Sequence, residues 1–426
     1  MSNKALKVTI SKKDLNIVIG RACLAAMTSE GQSEISKAGN ASLGCVRIEA
    51  SGDSIVFESS VSRFASQHIV KVGEGSEASI ESAGVTRVPV KELKTVASAI
   101  SDDYMVSIAF VEKPVDQGDV SSPIKAILPN GVVQITAIKG SKSMAGVEIE
   151  AYPDANGQQY PSLGELNVIL SGKASCVKTP YGLVGFAINP GDPKETYNKF
   201  AIFASTEAVF FLGADGRRCA VVESKGDTFE KFIGIELETP ILIEVEYLNP
   251  VLSSIPSEEP FVLAVDPSEE RVYVLSGGTT YRINMVNKTF RSKYPNYKKI
   301  MGLKEGTTIS INRKDFSMAA GLLKTVNPDR ATHRYDCDRS VIALNSKGLT
   351  AIKKATGEVE FKTLSDTPLK GNEICLHTMF VIEGLKKMVG ENVKMAFTPD
   401  EARVKIQDET DPQFLYFMQV MTKNEV

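Results

Sequence analysis

Two distant segments of the chain carry the same pattern of residues. Residues 8–15 read Val-Thr-Ile-Ser-Lys-Lys-Asp-Leu, and residues 309–316 read Ile-Ser-Ile-Asn-Arg-Lys-Asp-Phe, so every position matches in residue type. Each segment begins as a short alternating strand and then offers a helix start, because Ser11 and Asn312 can cap a helix. Apolar residues follow at helical spacing in both copies. This pattern predicts an internal repeat, which restricts the chain to copies of one fold.

A strand, a short polar turn and a second strand come after each helix, and a third copy of this pattern lies between the first two. The predicted strand pairs are residues 46–50 with 54–58, 200–204 with 208–212, and 341–344 with 349–352. A second helix is predicted in each copy at residues 90–100, 245–255 and 378–389. Leu93, Leu248 and Phe380 are expected at comparable core positions of these helices.

Each copy therefore reads strand, helix, several strands, helix and strands, an α+β layout with two helices packed on an antiparallel sheet. Two similar aromatic-proline segments, residues 160–163 and 294–297, are candidate joints. We predict three tandem domains of the same fold, which are residues 1–165, 166–302 and 303–426. Polar insertions at residues 28–42 and 111–122 are predicted to be surface loops of the first domain.

Several classes of protein do not fit this sequence. No apolar run reaches the roughly 18 residues of a membrane span, and the N-terminus lacks the apolar core of a signal peptide. The six cysteines have no C-x-x-C spacing, and the three histidines have no metal-ligand spacing. We therefore predict a cytoplasmic protein with reduced thiols, no metal site and no cofactor.

Motifs of catalysis are weak or missing. Residues 171–175 resemble a phosphate loop, but the earlier glycine is missing and Ala174 stands where a hydroxyl must reach magnesium. Neither a G-x-S-x-G nor an H-E-x-x-H segment occurs. Cys337 and His333 leave a cysteine-dependent hydrolase as a remote alternative. The sequence thus favours a binding protein over an enzyme.

Basic residues fall on the predicted helices, whereas acidic residues concentrate in loops and strands. The net charge of −3 does not decide between partners, because segregated cations can still hold a phosphate backbone. If the helices share one side, that side holds DNA without reading bases; ordinary solvated helix faces are the alternative. The predicted DNA-facing residues are Lys12, Lys13, Arg21, Lys91, Lys94, Arg313, Lys314, Lys324, Lys386 and Lys387.

Two further segments suggest a partner site. Residues 213–218 place an Asp-Gly turn and two arginines directly after a predicted strand. Residues 415–421 form an apolar, methionine-containing strand, which suits either an internal strand or an adaptable peptide groove.

Together these segments resemble the bacterial DNA polymerase III beta subunit, the DNA sliding clamp. The resemblance spans nearly the whole chain and is carried by residues 8–27, 86–93, 213–221, 294–300, 391–395 and 418–420. It implies three domains of the DNA-clamp fold and a head-to-tail homodimeric ring around double-stranded DNA, bound without regard to sequence. It also implies a processivity factor that tethers the DNA polymerase and the clamp loader through short linear motifs. A specialised clamp-like protein of a mobile element, serving one dedicated polymerase or repair partner, is the alternative.

The same resemblance implies a peptide pocket between the second and third domains. Carried over by position, the pocket residues are Ala214, Gly216, Arg217, Arg218, Cys219, Pro295, Lys299, Ile300, Tyr416, Phe417, Met418, Gln419 and Val420. Ala214, Arg217, Cys219 and Gln419 depart from the family's Thr, His, Leu and Pro, which predicts an altered motif preference. For the ring interface, the resemblance implies an edge strand at residues 132–138 and a helix near residues 322–326.

Overall fold

The structure is a computed structural model of the chain. It describes residues 6–28, 44–73, 75–113, 130–154, 164–192, 196–306, 308–326, 332–336, 341–343, 358–360, 373–398 and 402–419. The chain divides into two compact units. The first unit comprises Met1–Ser175, Phe229–Ile233 and Glu246–Val286, and the second comprises Cys176–Thr228, Gly234–Val245 and Asn287–Val426. In the described part of both units, no helix has the length and apolar character needed to cross a membrane.

The first unit contains two antiparallel sheets. The smaller one has five strands, in spatial order β5 (Ser79–Ser82), β1 (Lys7–Ser11), β7 (Met105–Glu112), β8 (Gly131–Lys139) and β9 (Lys142–Ala151). The larger one has nine strands, in spatial order β14 (Lys231–Phe232), β10 (Asn167–Lys173), β16 (Pro260–Val265), β17 (Arg271–Ser276), β18 (Thr279–Asn284), β4 (Phe64–Lys71), β3 (Ser54–Ser60), β2 (Cys45–Ser51) and β6 (Gly84–Pro89).

The second unit also contains two antiparallel sheets. One has eight strands, in spatial order β15 (Ile241–Glu244), β11 (Lys199–Ala204), β12 (Ala208–Ala214), β13 (Arg218–Lys225), β26 (Phe414–Gln419), β25 (Arg403–Asp408), β24 (Asn392–Phe397) and β19 (Thr308–Asn312). The other has four described strands, in spatial order β22 (Glu358–Glu360), β21 (Val341–Ala343), β20 (Thr332–Asp336) and β23 (Glu373–His377).

Helices accompany the sheets of both units. Those of the first unit are α1 (Lys12–Arg21), α2 (Leu24–Met27), α3 (Val90–Ser98) and, apart from its first residue, α5 (Val245–Ser254). Those of the second unit are, apart from its first residue, α4 (Ser175–Val184), then α6 (Lys288–Arg291), α7 (Tyr297–Met301), α8 (Arg313–Val326) and α9 (Thr378–Leu385). Short 3-10 turns occupy Gly185–Ala187 and Gly226–Thr228.

Both predicted helix starts are confirmed. The Ser11 hydroxyl accepts the backbone N–H of Asp14 at 3.1 Å and donates to its carboxylate at 2.7 Å. The Asn312 side-chain oxygen accepts the backbone N–H groups of Lys314 and Asp315 at 3.0 and 3.1 Å. Because such caps satisfy N–H groups that have no partner inside the helix, they fix where α1 and α8 begin.

The predicted repeat is confirmed in the strand pairing. In each copy, the first strand pairs with the strand that follows the second helix: β1 with β7, β10 with β16, and β19 with β24. In each copy, the strand that precedes the second helix pairs with the first strand after the first helix or helices: β6 with β2, β15 with β11, and β23 with β20. Three copies of one topology therefore follow each other along the chain, while the exact domain boundaries stay predictions.

Packing of the second helices departs from the sequence expectation at one position. Leu93 of α3 and Leu248 of α5 are buried at 0% and 1% exposure, as predicted. Phe380 of α9 is only half-buried, and the residue that takes the fourth place in this helix is Val381, at 0% exposure. The prediction was displaced by one residue, because the aromatic side chain at 380 contacts polar neighbours instead of the core. Each buried leucine stabilises the fold by about 2 kcal/mol.

Two strand predictions also change. Residues 132–138 form β8, which lies between β7 and β9, so β9 and not β8 is the edge strand of the described sheet. Val111 and Glu112 end strand β7 instead of beginning a loop. The predicted strand at 349–352 and most of the two predicted loops lie outside the described residues.

Candidate functional site

A pocket of about 460 Å³ lies in the second unit, at one end of the strands β12, β13, β25 and β26. Its lining residues are Tyr197, Ala214, Gly216, Arg217, Arg218, Cys219, Pro295, Asn296, Lys299, Ile300, Leu303, Ala402, Arg403, Phe417, Met418 and Gln419. The structure therefore brings together all the predicted pocket residues except two. Tyr416 is not in the lining, and Val420 lies outside the described residues.

A tight turn between β12 and β13 forms one wall of the pocket. The Asp215 carboxylate accepts the backbone N–H groups of Arg217 and Arg218, both at 3.0 Å. Gly216 has a φ of +88°, and a Cβ there would come within 2.9 Å of the Tyr197 ring. Both the positive φ and the close approach of the ring require glycine at this position. The turn leaves the Arg217 side chain exposed to solvent.

Strand alternation separates the predicted residues of β26 onto two faces. Phe417 lies opposite Cys219 of β13, whereas Tyr416 lies opposite Ala220, so the two aromatic side chains point to opposite sides of the sheet. Tyr416 is fully buried, and its hydroxyl donates to the Phe380 carbonyl at 3.0 Å. Burial raises the pKa of the Tyr416 phenol well above its ordinary value. Tyr416 therefore does not reach the lining, because its side chain is buried and its hydroxyl is bonded to α9.

Arg218 is held by its own unit. Its guanidinium donates to Asp215 at 2.8 Å, to the Phe186 carbonyl at 2.7 Å and to the Glu383 carboxylate, and it lies 4.1 Å from the centre of the Phe380 ring. Burial lowers the pKa of Arg218, but the hydrogen bond to Glu383 together with the nearby charges of Tyr416, Asp215 and Glu383 outweighs it and leaves this pKa raised. The guanidinium therefore connects the turn to α9, and its main role is to stabilise the fold.

The opposite wall comes from the segment that contains α7. The Asn296 side chain accepts the backbone N–H of Lys298 at 2.9 Å and so starts this helix. Tyr297 anchors it from below, with its ring 4.2 Å from Phe210 and 5.0 Å from Phe203 between ring centres. This anchoring leaves the following turn of α7, with Lys299 and Ile300, at the pocket.

Sequence reasoning missed five lining residues. Asn296 and Leu303 flank predicted positions, and a wider window around them would have found both. Arg403 begins β25 and Ala402 directly precedes it, and only the pairing of Arg403 with Gln419 brings them to the pocket. Tyr197 carries no sequence signal, because its place depends on the approach of its ring to the turn at Gly216.

Two of the predicted DNA-facing cations are engaged inside the first unit. Lys12 is 3% exposed and donates to the Asn16 side chain. Arg21 is 7% exposed and makes two hydrogen bonds to the Glu259 carboxylate, at 2.8 and 2.7 Å. Glu259 accordingly raises the pKa of Arg21. These residues are corrections to the predicted set, because neither side chain is free to meet a phosphate.

The other predicted cations lie at the surface or near it. Those exposed to solvent are Lys13, Lys91, Lys94, Lys314 and Lys386. Arg313 is half-buried and donates to the Gly390 carbonyl at 2.6 Å, and Lys387 is half-buried near Phe186. The side chain of Lys324 lies outside the described residues. The exposed cations of the first unit are on α1 and α3, which pack against each other. In the second unit Lys314 is on α8 and Lys386 directly follows α9, and these two helices also pack against each other.

A larger cavity, of about 1080 Å³, lies in the first unit between α3 and β9. Its lining includes Val96 and Val147, and the latter is 46% exposed. No residue of the predicted peptide pocket contributes to it. The cavity continues the exposed apolar side of the edge strand β9.

The structure is similar over its whole length to solved sliding clamps. The beta sliding clamp of C. crescentus shares 15% sequence identity, with a TM-score of 0.73 and 98% of this chain and 99% of that chain covered. The DNA polymerase sliding clamp of Bacillus subtilis gives the same identity, score and coverage. The DNA polymerase III beta subunit of Thermotoga maritima shares 16% identity, with a TM-score of 0.71 and 98% and 99% covered. Comparisons of the sequence with family profiles and with curated proteins find no match. The chain therefore has the fold of the bacterial DNA polymerase III beta subunit, the sliding clamp.

Proposed function

We propose that this protein is a DNA sliding clamp, a processivity factor that encircles duplex DNA and tethers a polymerase and other partners. The observation that carries this proposal is the fold, which matches solved clamps over 98% of this chain and 99% of theirs. A fragment of the fold would support many functions, but a correspondence of whole chains retains everything that a ring needs. In this role the protein is not an enzyme, and it acts in the cytoplasm, where bacterial DNA is replicated.

The strand pairing supports closure into a ring of two chains. In the first repeat, β2, β3 and β4 lie side by side in the larger sheet. The last strand of the second repeat, β18, pairs with β4. The last strand of the third repeat, β26, pairs in the same way with β13 of the second repeat. In both cases the last strand of one repeat pairs with β4 or β13 of the repeat before it. The strands at the corresponding places that are left at the edges of their described sheets are β9 of the first repeat and β22 of the third. Pairing β9 with β22 of a second copy closes six repeats head to tail.

The exposed apolar residues of α8 fit the same closure. Counted from the first residues of α1 and α8, Leu322 holds the place of Arg21, and Met318 holds the place of Ile17. Arg21 is covered because it reaches Glu259 of the second repeat, whereas Leu322 is 48% exposed; Ile17 and Met318 are both exposed, at 40% and 59%. Leu322 is therefore expected to be covered by a second copy of the chain.

The exposed lysines of the helices supply the DNA contact. The exposed cations on helices or directly after one are Lys13, Lys91 and Lys94 in the first unit and Lys314 and Lys386 in the second. Such side chains attract the phosphate backbone without reading bases, so binding is weak, sensitive to salt and independent of sequence. A closed ring holds its DNA by topology, which raises the effective concentration of any tethered polymerase.

The pocket of the second unit supplies the tether. Its size, apolar floor and position at a strand end suit a short linear motif of a polymerase or clamp loader. Phe417, Cys219 and Ile300 would hold the apolar side chains of that motif. Neither alternative function gains support: Cys337 and the side chain of His333 lie outside the described residues, and no observation favours one dedicated partner.

Solution mass tests the proposal directly. Light scattering should give about 92 kDa, twice the 46.1 kDa of one chain, at micromolar concentration. Fluorescence anisotropy with two unrelated duplexes should show equal affinities that fall together as salt rises. A strict monomer, or clear preference for one duplex sequence, would contradict the sliding-clamp proposal.

A further inference from the structure

The rim of the pocket in the second unit carries unbalanced positive charge. Its lining includes no carboxylate from the described residues, and three of its cations, Arg217, Lys299 and Arg403, are exposed to solvent. Cations nearby are neutralised within the protein, as Lys298 is by Glu236. No carboxylate of the described part of the chain pairs with the three rim cations. A ligand with negative charge is therefore favoured at this rim.

Strand register explains how two of these cations come together. The backbone N–H of Gln419 donates to the Arg217 carbonyl at 2.8 Å, and Gln419 lies opposite Arg403 on the other side. Residues directly opposite each other in a sheet share a face, so Arg217, Gln419 and Arg403 form one row. Cys219 and Phe417 form the next row of the same face, two residues back along their strands. The cationic row thus borders an apolar one.

The floor of the pocket is apolar and closed. Ala214, Cys219 and Phe417 are at most 8% exposed, and Pro295 and Ile300 border them from the other wall. A nucleic acid backbone offers phosphates to the rim but no apolar group to this floor. A ligand that satisfies both regions carries carboxylates beside apolar side chains.

From this arrangement we propose that the pocket selects acidic linear motifs: extended peptides whose apolar side chains fill the floor while flanking aspartates or glutamates meet Arg217, Lys299 and Arg403. The inference rests on the proposed function, because it specifies which motifs the tethering pocket accepts. It makes Arg403 a specificity-determining residue of this chain. The carboxylates gain from three separate cations, and each exposed pair contributes modestly and in a salt-dependent way.

Two fluorescent peptides with blocked termini test the proposal on the full chain. Both carry a Gln-x-x-Leu-Phe core; one has aspartate pairs on both flanks, and the other has asparagines in their place. Anisotropy at low salt should show the aspartate peptide binding about tenfold more tightly, and the two affinities should converge as salt rises. The asparagine peptide should show little dependence on salt.

Single substitutions then locate the effect. Arg403→Gln and Lys299→Gln should each weaken the aspartate peptide about two- to fivefold and leave the asparagine peptide unchanged. Lys298→Gln is the matched control, because it removes the same charge from the next residue of the same helix, and Lys298 is not part of the lining. It should leave both peptides unchanged.

The outcomes separate this inference from the proposed function. Equal binding of the two peptides to the wild type would overturn the acidic preference while leaving a tethering pocket in place. Absence of binding by either peptide would overturn the acidic preference and the tethering role of this pocket, whereas the ring is tested separately by the solution mass. A labelled duplex that loses affinity in Arg403→Gln, while neither peptide responds to that substitution, would assign the rim to DNA and overturn the inference as well.

Discussion

Arg217 and Arg218 are neighbours in the chain, but their guanidinium groups have different surroundings. Arg218 bonds Asp215, Glu383 and the Phe186 carbonyl, whereas the Arg217 side chain is exposed. Removing one member of a buried charge network leaves the other members unpaired. We expect Arg218→Ala to lower the free energy of unfolding by about 2–3 kcal/mol in urea titrations.

The matched substitution Arg217→Ala should stay within about 0.5 kcal/mol of the wild type, because an exposed arginine has little to lose. Equal stabilities of the two variants would contradict the structural role of Arg218. For a binding assay it follows that Arg217, and not Arg218, is the position where lost affinity can be assigned to the ligand.

Asp408 is a second buried charge whose partners are all donors. Its carboxylate accepts the backbone N–H groups of Val389, Gly390 and Thr410 at 2.7 to 2.8 Å. Burial raises the pKa of Asp408, but these hydrogen bonds outweigh it and leave the pKa below its ordinary value. Asp408→Asn places an amide NH₂ among donors, so we expect a loss of about 2 kcal/mol in the free energy of unfolding at neutral pH.

The pH dependence of this loss has a definite sign. Because the folded-state pKa of Asp408 is lowered, its stabilisation is present above the unfolded pKa of about 3.9 and disappears as pH falls through the folded value. Urea titrations followed by circular dichroism should therefore show the gap between wild type and Asp408→Asn closing as the solution is acidified. A gap that is constant from neutral to strongly acidic pH would show that the charge of Asp408 is not what stabilises the turn.

Among single residues, the sequence predicted what local chemistry decides. The caps Ser11 and Asn312 were predictable, because their partners lie within the first turn of the helix. Lys12 and Arg21 were assigned to DNA because a basic residue on a helix is usually exposed. The partner of Arg21 is Glu259, which lies far along the chain, and no local sequence pattern predicts an ion pair of that kind.

At the scale of elements, the contact of α9 with β26 depends on a glycine. A Cβ at Gly384 would collide with the ring of Tyr416, whereas a Cβ at Gly20 of α1 would meet nothing within 4 Å. Alanine favours a helix over glycine by about 1 kcal/mol at either position. We expect Gly20→Ala to raise the free energy of unfolding by up to that amount and Gly384→Ala to lower it by about 1–3 kcal/mol, both measured by urea titration. If Gly384→Ala were as stable as Gly20→Ala, the close packing of α9 on Tyr416 would be wrong.

The positions of helices and strands were easier to predict than the elements that pair with them. The helices α1 and α8 follow from caps and apolar spacing, and α3 and α5 follow from apolar spacing; both are properties of a short window. The edge of a sheet is decided by which distant strands pair, and so β8 was mistaken for an edge although its strand character was clear. The pocket was located because its turn and C-terminal strand are distinctive, but Arg403 entered it only through strand register.

At the scale of the whole molecule, the fold is kept at sequence identities of 13–16%. This fold needs its alternation of buried and exposed positions in each repeat, and many sequences provide it. What the sequence must specify more closely is the joint between repeats. The two joints inside the chain differ in chemistry, since Arg21 and Glu259 meet at one while Arg218 and Met418 pair across the other.

In the proposed ring of two chains, the closing joint is expected to be apolar on α8. Glu259 is the residue just before β16, and the residue at the same place before β7 is Tyr104, which is half-buried. Leu322 of one copy is thus expected near Tyr104 of the other, in place of an ion pair. Leu322→Asp would replace the apolar contact with a carboxylate that loses its water when the joint forms, and since Leu322 is exposed in the single chain, folding should be unaffected.

We therefore expect Leu322→Asp to convert the dimer of about 92 kDa to the 46.1 kDa chain in light scattering at micromolar concentration, with an unchanged circular dichroism spectrum. Ile235→Asp is the control, because Ile235 is an equally exposed apolar residue, at 49%, that belongs to neither β9 nor α8. It should remain a dimer. Because the joint is apolar, the mass of the wild type should also hold as salt rises, while its affinity for duplex DNA falls. A dimer that survives Leu322→Asp would place the ring closure somewhere other than α8.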